Sequence, residues 1–257
     1  MHTPKFRTAF AKTPNDLRLA QRLRYDVFVA ELGGTGPMVD HDNKLEKDGF
    51  DPVSDHLLLF DDALGGAVVG VYRLMSRDQA RSAGQFYSQA EYDLAPLLRS
   101  DQKVLELGRS CLHPDHRGGA AMIHLWGALA DYIARHSIDI LFGVASFHGI
   151  DVTRLAAPLS LLHHRHLAPQ KLRVRAQADA FQTMNLISEP ALDRRAAMVD
   201  MPALIKAYLR LGGVVGEGAY IDRQFNTTDV FMMMDTRKIN AKHARLYART
   251  DVKGPAS

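Results

Sequence analysis

The stretch from Lys103 to His136 constrains the fold more than any other part of the chain. It begins with a short apolar strand over residues 104–107 that contains one carboxylate, Glu106. A polar, basic turn over residues 113–119 follows, and then a helix with an apolar stripe at helical spacing: Met122, Trp126, Leu129 and Ile133. The free N–H groups and the positive dipole end of such a helix face the turn. The order strand, glycine-containing turn and helix therefore predicts an anion-binding site.

Length and composition indicate an ordinary globular protein. The 257 residues are 46% hydrophobic and 24% charged, which is enough for one large domain or a domain with a subdomain. No apolar run approaches the roughly 20 residues of a membrane span, and MHTPKFRTAF lacks the apolar core of a signal peptide. A single cysteine, Cys111, excludes an internal disulfide and suits a reducing compartment. We therefore predict a cytoplasmic protein and, since no linker or repeat is visible, one domain over residues 1–257.

The distribution of charge is more informative than its sum. The net charge of +3 is too small to indicate a nucleic-acid partner. Residues 152–178, however, contain no carboxylate. The cations of this segment predicted to form a docking surface are Arg165, Lys171, Arg173 and Arg175. A tract of one sign favours an acidic partner or an anionic membrane surface, and a solvated basic face is the alternative.

The first predicted helix starts at Thr13, where Thr is the N-cap, Pro14 follows and Asp16 lies in the first turn. Its expected buried stripe is Leu19, Leu23 and Val27, with Arg24 and Phe28 on a neighbouring face. The glycines at 33 and 34 end it.

An acidic loop follows, with five carboxylates in the thirteen residues 39–51. Its spacing excludes an EF-hand: counted from Asp40, position six is Leu45 and position twelve is Asp51, where calcium loops have Gly and Glu. The loop is either a solvated surface or a recognition element for a cationic substrate.

Further segments alternate between strands and helices. Strands are expected at 55–60, 67–75, 138–146, near 172–176 and at 229–234, and helices at 150–162 and 201–211. Residues 80–100 are interpreted as a short helical, tyrosine-rich connection.

Four motifs occur in a defined order: LRYDVF from Leu23, the acidic loop, VYRLM from Val71 and ELGR from Glu106. This order resembles the branch of the GNAT acyltransferases that includes the N-acyl-homoserine lactone synthases and the N-acyl amino acid synthases. Farther on, PALIKAYLRLGGVVGEGAYID and FNTTDVFMMM resemble the ornithine N-acyltransferases of ornithine-lipid synthesis. The chain departs from the usual (Arg/Gln)-x-x-Gly-x-(Gly/Ala) donor pattern, because Ala120 and Met122 occupy its glycine positions.

The resemblance implies an α/β, GNAT-like fold: a mixed, mostly antiparallel central sheet flanked by helices, with about residues 180–247 as a family-specific extension. It implies transfer of a fatty or 3-hydroxy fatty acyl group from an acyl-carrier-protein thioester to the α-amine of L-ornithine or a similar amino acid. The enzyme needs no cofactor or metal of its own, since 4'-phosphopantetheine comes with the carrier protein.

The site residues follow from the matched motifs. Glu106 and Arg109 are the expected catalytic residues: Glu106 is the general base, and Arg109 fixes the base or the substrate carboxylate. The alternative is that Glu106 only forms an ion pair with Arg109. The expected donor site consists of Cys111, Leu112, Arg117, Gly118, Gly119, Ala120 and Ala121. The expected amino-acid site consists of Arg24, Phe28, Asp40, Asp42, Asp48, Asp51 and Arg73. Peripheral contact with the cytoplasmic membrane would suit an enzyme whose product is a lipid.

Alternative functions remain at this stage. An acyl-homoserine-lactone-type synthase or another N-acyl amino acid synthase would use a different acceptor, and a non-catalytic module would bind only carrier protein or membrane. Cys111 as a nucleophile has no recognisable base, and the C-x-H-x-x-H spacing from Cys111 lacks a fourth zinc ligand.

Overall fold

The computed structural model describes residues 3–117 and 119–238. These residues form two compact units. The first comprises residues 3–75, 108–117 and 119–138, and the second comprises residues 76–107 and 139–238. The expected single domain stays a prediction, and part of the extension expected up to residue 247 lies outside the described residues.

The first unit contains a sheet and two long helices. In chain order its elements are β1 (Phe6–Phe10), α1 (Pro14–Arg24), a π-helix (Tyr25–Glu31), β2 (Val39–Asp40), β3 (Leu45–Glu46), β4 (Asp55–Asp61), β5 (Ala67–Ser76, of which Ser76 belongs to the second unit), the later part of β7 (Val104–Leu112) and α4 (Gly119–His136). β1 pairs antiparallel with β4, and β4 pairs antiparallel with β5.

Helix α1 begins at the capping box that the sequence predicts. The Thr13 side chain accepts a hydrogen bond from the Asp16 N–H, and the Asp16 carboxylate accepts one from the Thr13 N–H. Its buried face, however, consists of Ala20, Leu23 and Arg24. The prediction that Leu19 is buried is wrong, because Leu19 lies on the solvent side of the helix, 38% exposed.

The helix changes to π geometry after Arg24 and continues so to Glu31. The wider turn carries one extra residue, so side chains beyond Arg24 are rotated relative to an α-helix. Val27 and Val29 are buried there, whereas Glu31 reaches the surface.

The second unit is built on a mixed sheet. Its elements are α2 (Arg77–Ala83), β6 (Tyr92–Asp93), α3 (Ala95–Leu98), the first part of β7, β8 (Ile140–His148), α5 (Ala156–His166), β9 (Arg175–Ala176), β10 (Phe181–Gln182), α6 (Arg194–Asp200), α7 (Ala203–Arg210), β11 (Val214–Asp222) and β12 (Thr227–Asp235). β7 and β8 are parallel, as are β9 and β11, while β8–β12, β11–β12, β10–β11 and β6–β9 are antiparallel.

Strand β7 is longer than the sequence pattern indicates, because it extends beyond Leu107 to Leu112. Its parallel pairing with β8 is short: Val104 lies opposite Ile140, Leu105 opposite Leu141 and Glu106 opposite Phe142. Just beyond, Gly143 approaches the backbone so closely that a Cβ there would lie 2.1 Å from the Leu107 carbonyl oxygen. The pairing therefore ends at the carboxylate singled out from the sequence.

Within the described residues, the structure contains no helix that is both long enough and apolar enough to cross a bilayer.

Candidate active site

Three arginines and three carboxylates meet inside the first unit, and we call this group the buried ion-pair network. Its members are Arg24, Glu46, Asp48, Asp51, Arg73 and Arg109. They come from five places in the chain: the end of α1, strand β3, the loop after β3, strand β5 and strand β7. Motifs that are far apart in the sequence thus converge on one cluster.

The network is a continuous chain of contacts. Arg24 holds both oxygens of Asp51, with Nη1···Oδ1 2.7 Å and Nη2···Oδ2 3.1 Å, and its Nε donates to Glu46. Arg73 Nη1 donates to Asp48 Oδ1 at 2.6 Å and to Asp51 Oδ1 at 2.9 Å. Each arginine therefore joins two carboxylates.

Arg109 closes the network and is its most exposed arginine. Its Nε lies 3.0 Å from Glu46 Oε1, and its Nη2 lies 3.3 Å from Asp48 Oδ2. The Arg109 side chain is 11% exposed, whereas that of Arg24 is 0% exposed. Within the network, Arg109 is therefore the arginine that a ligand reaches most readily.

Backbone geometry marks Arg109 as well. Its φ is +49°, in the left-handed region, although Arg109 is a non-glycine residue inside a strand. A conformation of this kind costs on the order of 1–3 kcal/mol and persists where surrounding contacts enforce it. The ion pairs to Glu46 and Asp48 supply such contacts.

The two aspartates of the network, Asp48 and Asp51, are held in their ionised form. Burial opposes ionisation of Asp51, but the charges of Arg24 and Arg73 outweigh it, so the pKa of Asp51 is lowered. The pKa of Asp48 is lowered in the same way: burial opposes ionisation, and the charges of Arg73 and Arg109 outweigh it. Groups that hold their charge this firmly are poor proton acceptors near neutral pH.

The network differs from the amino-acid site expected from the sequence. Glu46 was missed, although it is fully buried and joins Arg24 to Arg109. Asp40 lies outside the network, where it binds Lys47 and Asn43, and Asp42 is exposed. Phe28 packs on the apolar cluster around Cys111.

Glu106 occupies a separate setting in the second unit. Its side chain is buried, and the residue is 4% exposed. Oε2 accepts the Tyr87 N–H at 2.9 Å, and Oε1 accepts the Ser88 N–H at 2.7 Å as well as the Ser88 hydroxyl. These donors belong to a 3₁₀ turn, Tyr87–Ala90, inside the segment interpreted from sequence only as a connection. They fix the carboxylate at the point where the β7–β8 pairing ends.

An apolar pocket lies beside this point in the second unit. It measures about 300 Å³, including some open solvent. Its lining comes from β7, β8, α7 and β12: Leu107, Leu141, Phe142, Gly143, Val144, Tyr208, Met232, Met233 and Met234. Methionine side chains adapt to irregular apolar shapes, so the lining suits a flexible alkyl chain.

The loop after β7 belongs to the first unit. Cys111 and Leu112 are buried, a 3₁₀ turn covers Pro114–His116, and α4 begins at Gly119. Burial raises the pKa of the Cys111 thiol to about 12, which disfavours a nucleophilic thiolate there.

At the start of α4, Gly119 and Ala120 are exposed, and a Cβ added to Gly119 would meet open space. Ala121 is buried, and Gly118 lies outside the described residues. Arg117 pairs with Glu31, with Nη1···Oε1 2.6 Å and Nη2···Oε2 2.5 Å.

Comparison with known proteins shows which family the chain belongs to. Residues 23–127 match the model of the acetyltransferase (GNAT) domain. The L-ornithine N(alpha)-acyltransferase of Rhodobacter capsulatus is 59% identical over 243 residues, which are 93% of each chain. The chain belongs to the L-ornithine N(alpha)-acyltransferase family. A second member, from Brucella abortus, is 40% identical over 237 residues, 90% of this chain and 84% of that protein.

Solved structures agree with this family at the level of the fold. FeeM, an N-acyl amino acid synthase from uncultured soil microbes, has a TM-score of 0.53 at 12% identity and covers 91% of this chain and 92% of its own. BjaI, a CoA-dependent acyl-homoserine lactone synthase, has a TM-score of 0.51 at 16% identity, with coverage of 95% and 89%. The GNAT-like fold predicted from the motifs is confirmed, and so is the assignment to the N-acyltransferases.

The basic tract lies in the second unit, and neighbouring carboxylates neutralise part of it. Arg165 pairs with Glu189 at 2.5 Å, and Arg175 pairs with Glu217. Arg173 donates through Nε to the Ala168 carbonyl oxygen at 2.8 Å, and Lys171 is exposed. Local charge is therefore lower than the sequence of the tract alone indicates.

One group among the described residues has the spacing of a cation site: oxygens of Glu91, Asp222 and Asp229 lie within 4.8 Å of one another. Acidic groups of this spacing are common without a bound ion, so we assign no metal to it.

Proposed function

We propose that this chain transfers a fatty or 3-hydroxy fatty acyl group from an acyl-carrier-protein thioester to the α-amine of L-ornithine, forming lyso-ornithine lipid. Its main support is the 59% identity, over 93% of both chains, to a protein named L-ornithine N(alpha)-acyltransferase. The name of that relative does not include the carrier protein, the fatty acyl chain or the lipid product. These are supported by the basic tract, the apolar pocket and the resemblance of the motifs.

The proposed reaction is direct attack of the amine on the thioester. The α-ammonium group loses one proton, the neutral nitrogen attacks the carbonyl carbon, and a tetrahedral oxyanion forms. When the oxyanion collapses, the C–S bond breaks, the amide forms, and the second proton leaves the nitrogen as the thiolate takes up a proton. A positioned general base contributes typically about 10²–10⁴-fold to such a step.

Glu106 is the proposed base. Two peptide N–H groups and a hydroxyl fix its carboxylate in a buried position, which supports a role that depends on orientation. The lowered pKa values of Asp48 and Asp51 argue against either of those carboxylates in the same role.

Backbone N–H groups near Cys111 and Leu112 are the proposed oxyanion donors. Arg117, with the exposed first turn of α4 from Gly119, is proposed to hold the pantetheine phosphate. The open space at Gly119 supports this, since a ligand can approach the backbone there.

The apolar pocket is the proposed acyl-chain site. Its lining includes Leu107, which directly follows Glu106 in β7, and three consecutive methionines of β12. A fatty chain buried there would gain roughly 0.8 kcal/mol per CH₂ group removed from water.

Arg109 is the proposed contact for the carboxylate of the amino acid, with Arg73 and Arg24 holding the network behind it. The greater exposure of Arg109 supports this order. The side-chain ammonium of ornithine requires a carboxylate, and Asp48 is the more exposed of the two aspartates in the network.

Carrier protein is the proposed donor because acyl carrier proteins are acidic and the tract around Arg165, Lys171, Arg173 and Arg175 is basic. Opposite fields raise association rates and are screened by salt over a Debye length of about 10 Å at 0.1 M. The same cations would attract an anionic membrane surface, which suits a cytoplasmic enzyme with a lipid product.

A direct assay tests the proposal. Purified protein is incubated with 3-hydroxyacyl-carrier protein or the matching acyl-coenzyme A, and with ornithine, norvaline, lysine, glutamine, glycine or homoserine-derived acceptors. We expect N-acylornithine, a clear preference for ornithine over norvaline, and a lower rate with coenzyme A. Equal rates for ornithine and norvaline would show that the enzyme does not recognise the side-chain ammonium of ornithine. Formation of an acyl-homoserine product instead would show that ornithine is not the acceptor.

Carrier-protein docking has its own control. We expect the combined variant Arg173→Glu with Arg175→Glu, and added salt, to lower kcat/KM for carrier protein, with a smaller effect on acyl-coenzyme A. The matched variant Arg210→Glu with Arg223→Glu reverses two exposed cations of the same unit outside the tract. If Arg173→Glu with Arg175→Glu leaves kcat/KM for carrier protein unchanged at low salt, the tract is not the docking face. If anionic vesicles do not compete with carrier protein, the tract does not bind the membrane.

A further inference from the structure

The guanidinium of Arg117 is already engaged by a carboxylate of the chain itself. Glu31 accepts from Nη1 at 2.6 Å and from Nη2 at 2.5 Å, one bond to each carboxylate oxygen, while Arg117 Nε lies 3.4 Å from the Leu112 carbonyl oxygen. This parallel two-bond arrangement is the one that a guanidinium also offers to a phosphate. Glu31 therefore occupies the face of Arg117 that a phosphate would use.

The two partners come from elements with different neighbours. Glu31 is the last residue of the π-helix that starts directly after Arg24, and Arg117 lies between the Pro114–His116 turn and α4. Helix α1 ends with Arg24 in the interior, and the π-helix that follows rotates the later side chains, so Glu31 lies at the loop before α4.

The pair is exposed enough to exchange partners. The Arg117 side chain is 45% exposed and that of Glu31 is 32% exposed. The hydrogen bond from Arg117 lowers the pKa of Glu31, and the bond to Glu31 raises the pKa of Arg117, so both are charged at neutral pH. An ion pair at this exposure contributes at most about 1 kcal/mol, which corresponds to a factor of about five in a binding constant.

We propose that Glu31 is an internal competitor for Arg117: the phosphate of the pantetheine arm displaces Glu31 when the donor binds, and Glu31 takes Arg117 back when the spent carrier leaves. This inference rests on the proposed function only in assigning the phosphate to Arg117. Glu31 thereby sets donor affinity and favours release of the product carrier.

Binding measurements test the competition without requiring turnover. Calorimetric titration with 4'-phosphopantetheine and with pantetheine, which lacks the phosphate, is carried out on wild type, Glu31→Gln, Arg117→Gln and the double variant. We expect Glu31→Gln to bind 4'-phosphopantetheine about three- to five-fold more tightly than wild type, since the competing charge is gone. Pantetheine should bind both equally, and Glu31→Gln should have no effect when Arg117 is already Gln.

Asp62→Asn is the matched control. Asp62 also pairs with an arginine of the first unit, Arg7, at 3.2 Å and at similar exposure, 34% for Asp62 and 51% for Arg7. Removal of this carboxylate changes the net charge equally but leaves Arg117 engaged, so 4'-phosphopantetheine affinity should equal that of wild type.

Other results would overturn the inference. Weaker phosphopantetheine binding in Glu31→Gln would mean that Glu31 orients Arg117 for the phosphate instead of competing with it. If Glu31→Gln and Asp62→Asn gain equally in affinity for 4'-phosphopantetheine, the effect comes from net charge alone. If Glu31→Gln binds 4'-phosphopantetheine and pantetheine with equal affinity, Arg117 does not bind the phosphate. Acylation of ornithine is measured in a separate assay. If the protein does not acylate ornithine but Glu31→Gln still binds 4'-phosphopantetheine more tightly, the proposed function is wrong and the competition between Glu31 and phosphate still holds.

Discussion

Arginine meets carboxylate in two contrasting settings of the first unit. In the buried ion-pair network, Arg24 is fully buried and binds Glu46 and Asp51, while Arg73 joins Asp51 to Asp48. At the loop between β7 and α4, Arg117 and Glu31 make an equally short pair that is open to water. The two settings therefore have similar ion-pair distances and differ in how far water reaches the charges.

Solvation determines what each pair is able to do. A buried charge that loses its partner stays desolvated, so the buried network is difficult to rearrange and holds its members in place. An exposed charge that loses its partner is solvated by water, so the pair at Arg117 exchanges at little cost. The buried network is suited to positioning and the exposed pair to reversible binding.

The largest effect is expected when the buried network is broken. Arg24→Met leaves Glu46 and Asp51 without their shared cation, so we expect a loss of about 3–5 kcal/mol in the free energy of unfolding. Urea unfolding measures it, and Arg22→Met, an exposed position on the same helix, should change stability by less than about 0.5 kcal/mol. Equal losses of stability in Arg24→Met and Arg22→Met would show that the buried network does not stabilise the fold more than an exposed arginine does.

Glu106, a buried carboxylate of the second unit, extends the comparison, since peptide N–H groups and a hydroxyl hold it in place of arginines. Glu106→Gln keeps the shape and removes the proton acceptor. We expect turnover to fall by roughly 10²-fold or more, with donor binding retained. Ser88→Ala keeps the carboxylate and should reduce turnover much less. Near-wild-type turnover of Glu106→Gln at neutral pH would make Glu106 a structural residue.

Acid weakens the buried network through its aspartates. The pKa values of Asp48 and Asp51 are lower in the folded chain than the value of about 3.9 in an unfolded one. The unfolded state therefore takes up protons first, and the stabilisation is complete above about pH 5 and declines as the pH falls through 4 towards the folded values. The stability difference between wild type and Asp51→Asn, from urea unfolding between pH 7 and pH 2, should narrow below about pH 4. A constant difference over that range would show that Asp51 does not stabilise the fold through its charge.

The sequence was a good guide where chemistry follows from the chain itself. Thr13 and Asp16 marked the start of α1. Arg24, Arg73, Arg109 and Glu106 were singled out from their motifs, and their roles in the reaction stay predictions. Convergence of the three arginines on one network is a tertiary property, and no local spacing indicates it.

Glu46 shows why part of the network escaped prediction. It lies in an acidic segment of five carboxylates, a composition that favours exposure to solvent, and its burial depends on the arginines from α1 and β7 that bind it. The neutral donors of Glu106 were missed for a related reason, since peptide N–H groups carry no signal in the residue pattern.

Strand β11 escaped prediction because its glycines imitate a turn. Gly218 has φ +77°, and a Cβ there would lie 2.2 Å from the Phe181 ring. The pairing with β12 shifts between Val215 and Ala219, so the glycines belong to an irregular part of a strand. Leu19 was assigned to the wrong face because Arg24, which the sequence places on a neighbouring face, takes part in the buried face of α1.

The smallest effect is expected at the exposed pair. Glu31→Gln, Arg117→Gln and their combination form a double-mutant cycle, and we expect a coupling of about 0.2–1 kcal/mol in the free energy of unfolding. Since water solvates whichever charge remains, each single variant should unfold close to wild type. The coupling should shrink between 0.05 M and 1 M salt, because the Debye length falls to about 3 Å at 1 M. A coupling as large as the stability loss expected for Arg24→Met, or one that salt does not change, would mean that Glu31 holds Arg117 permanently. The phosphate of the proposed donor would then have to bind elsewhere on the loop between β7 and α4.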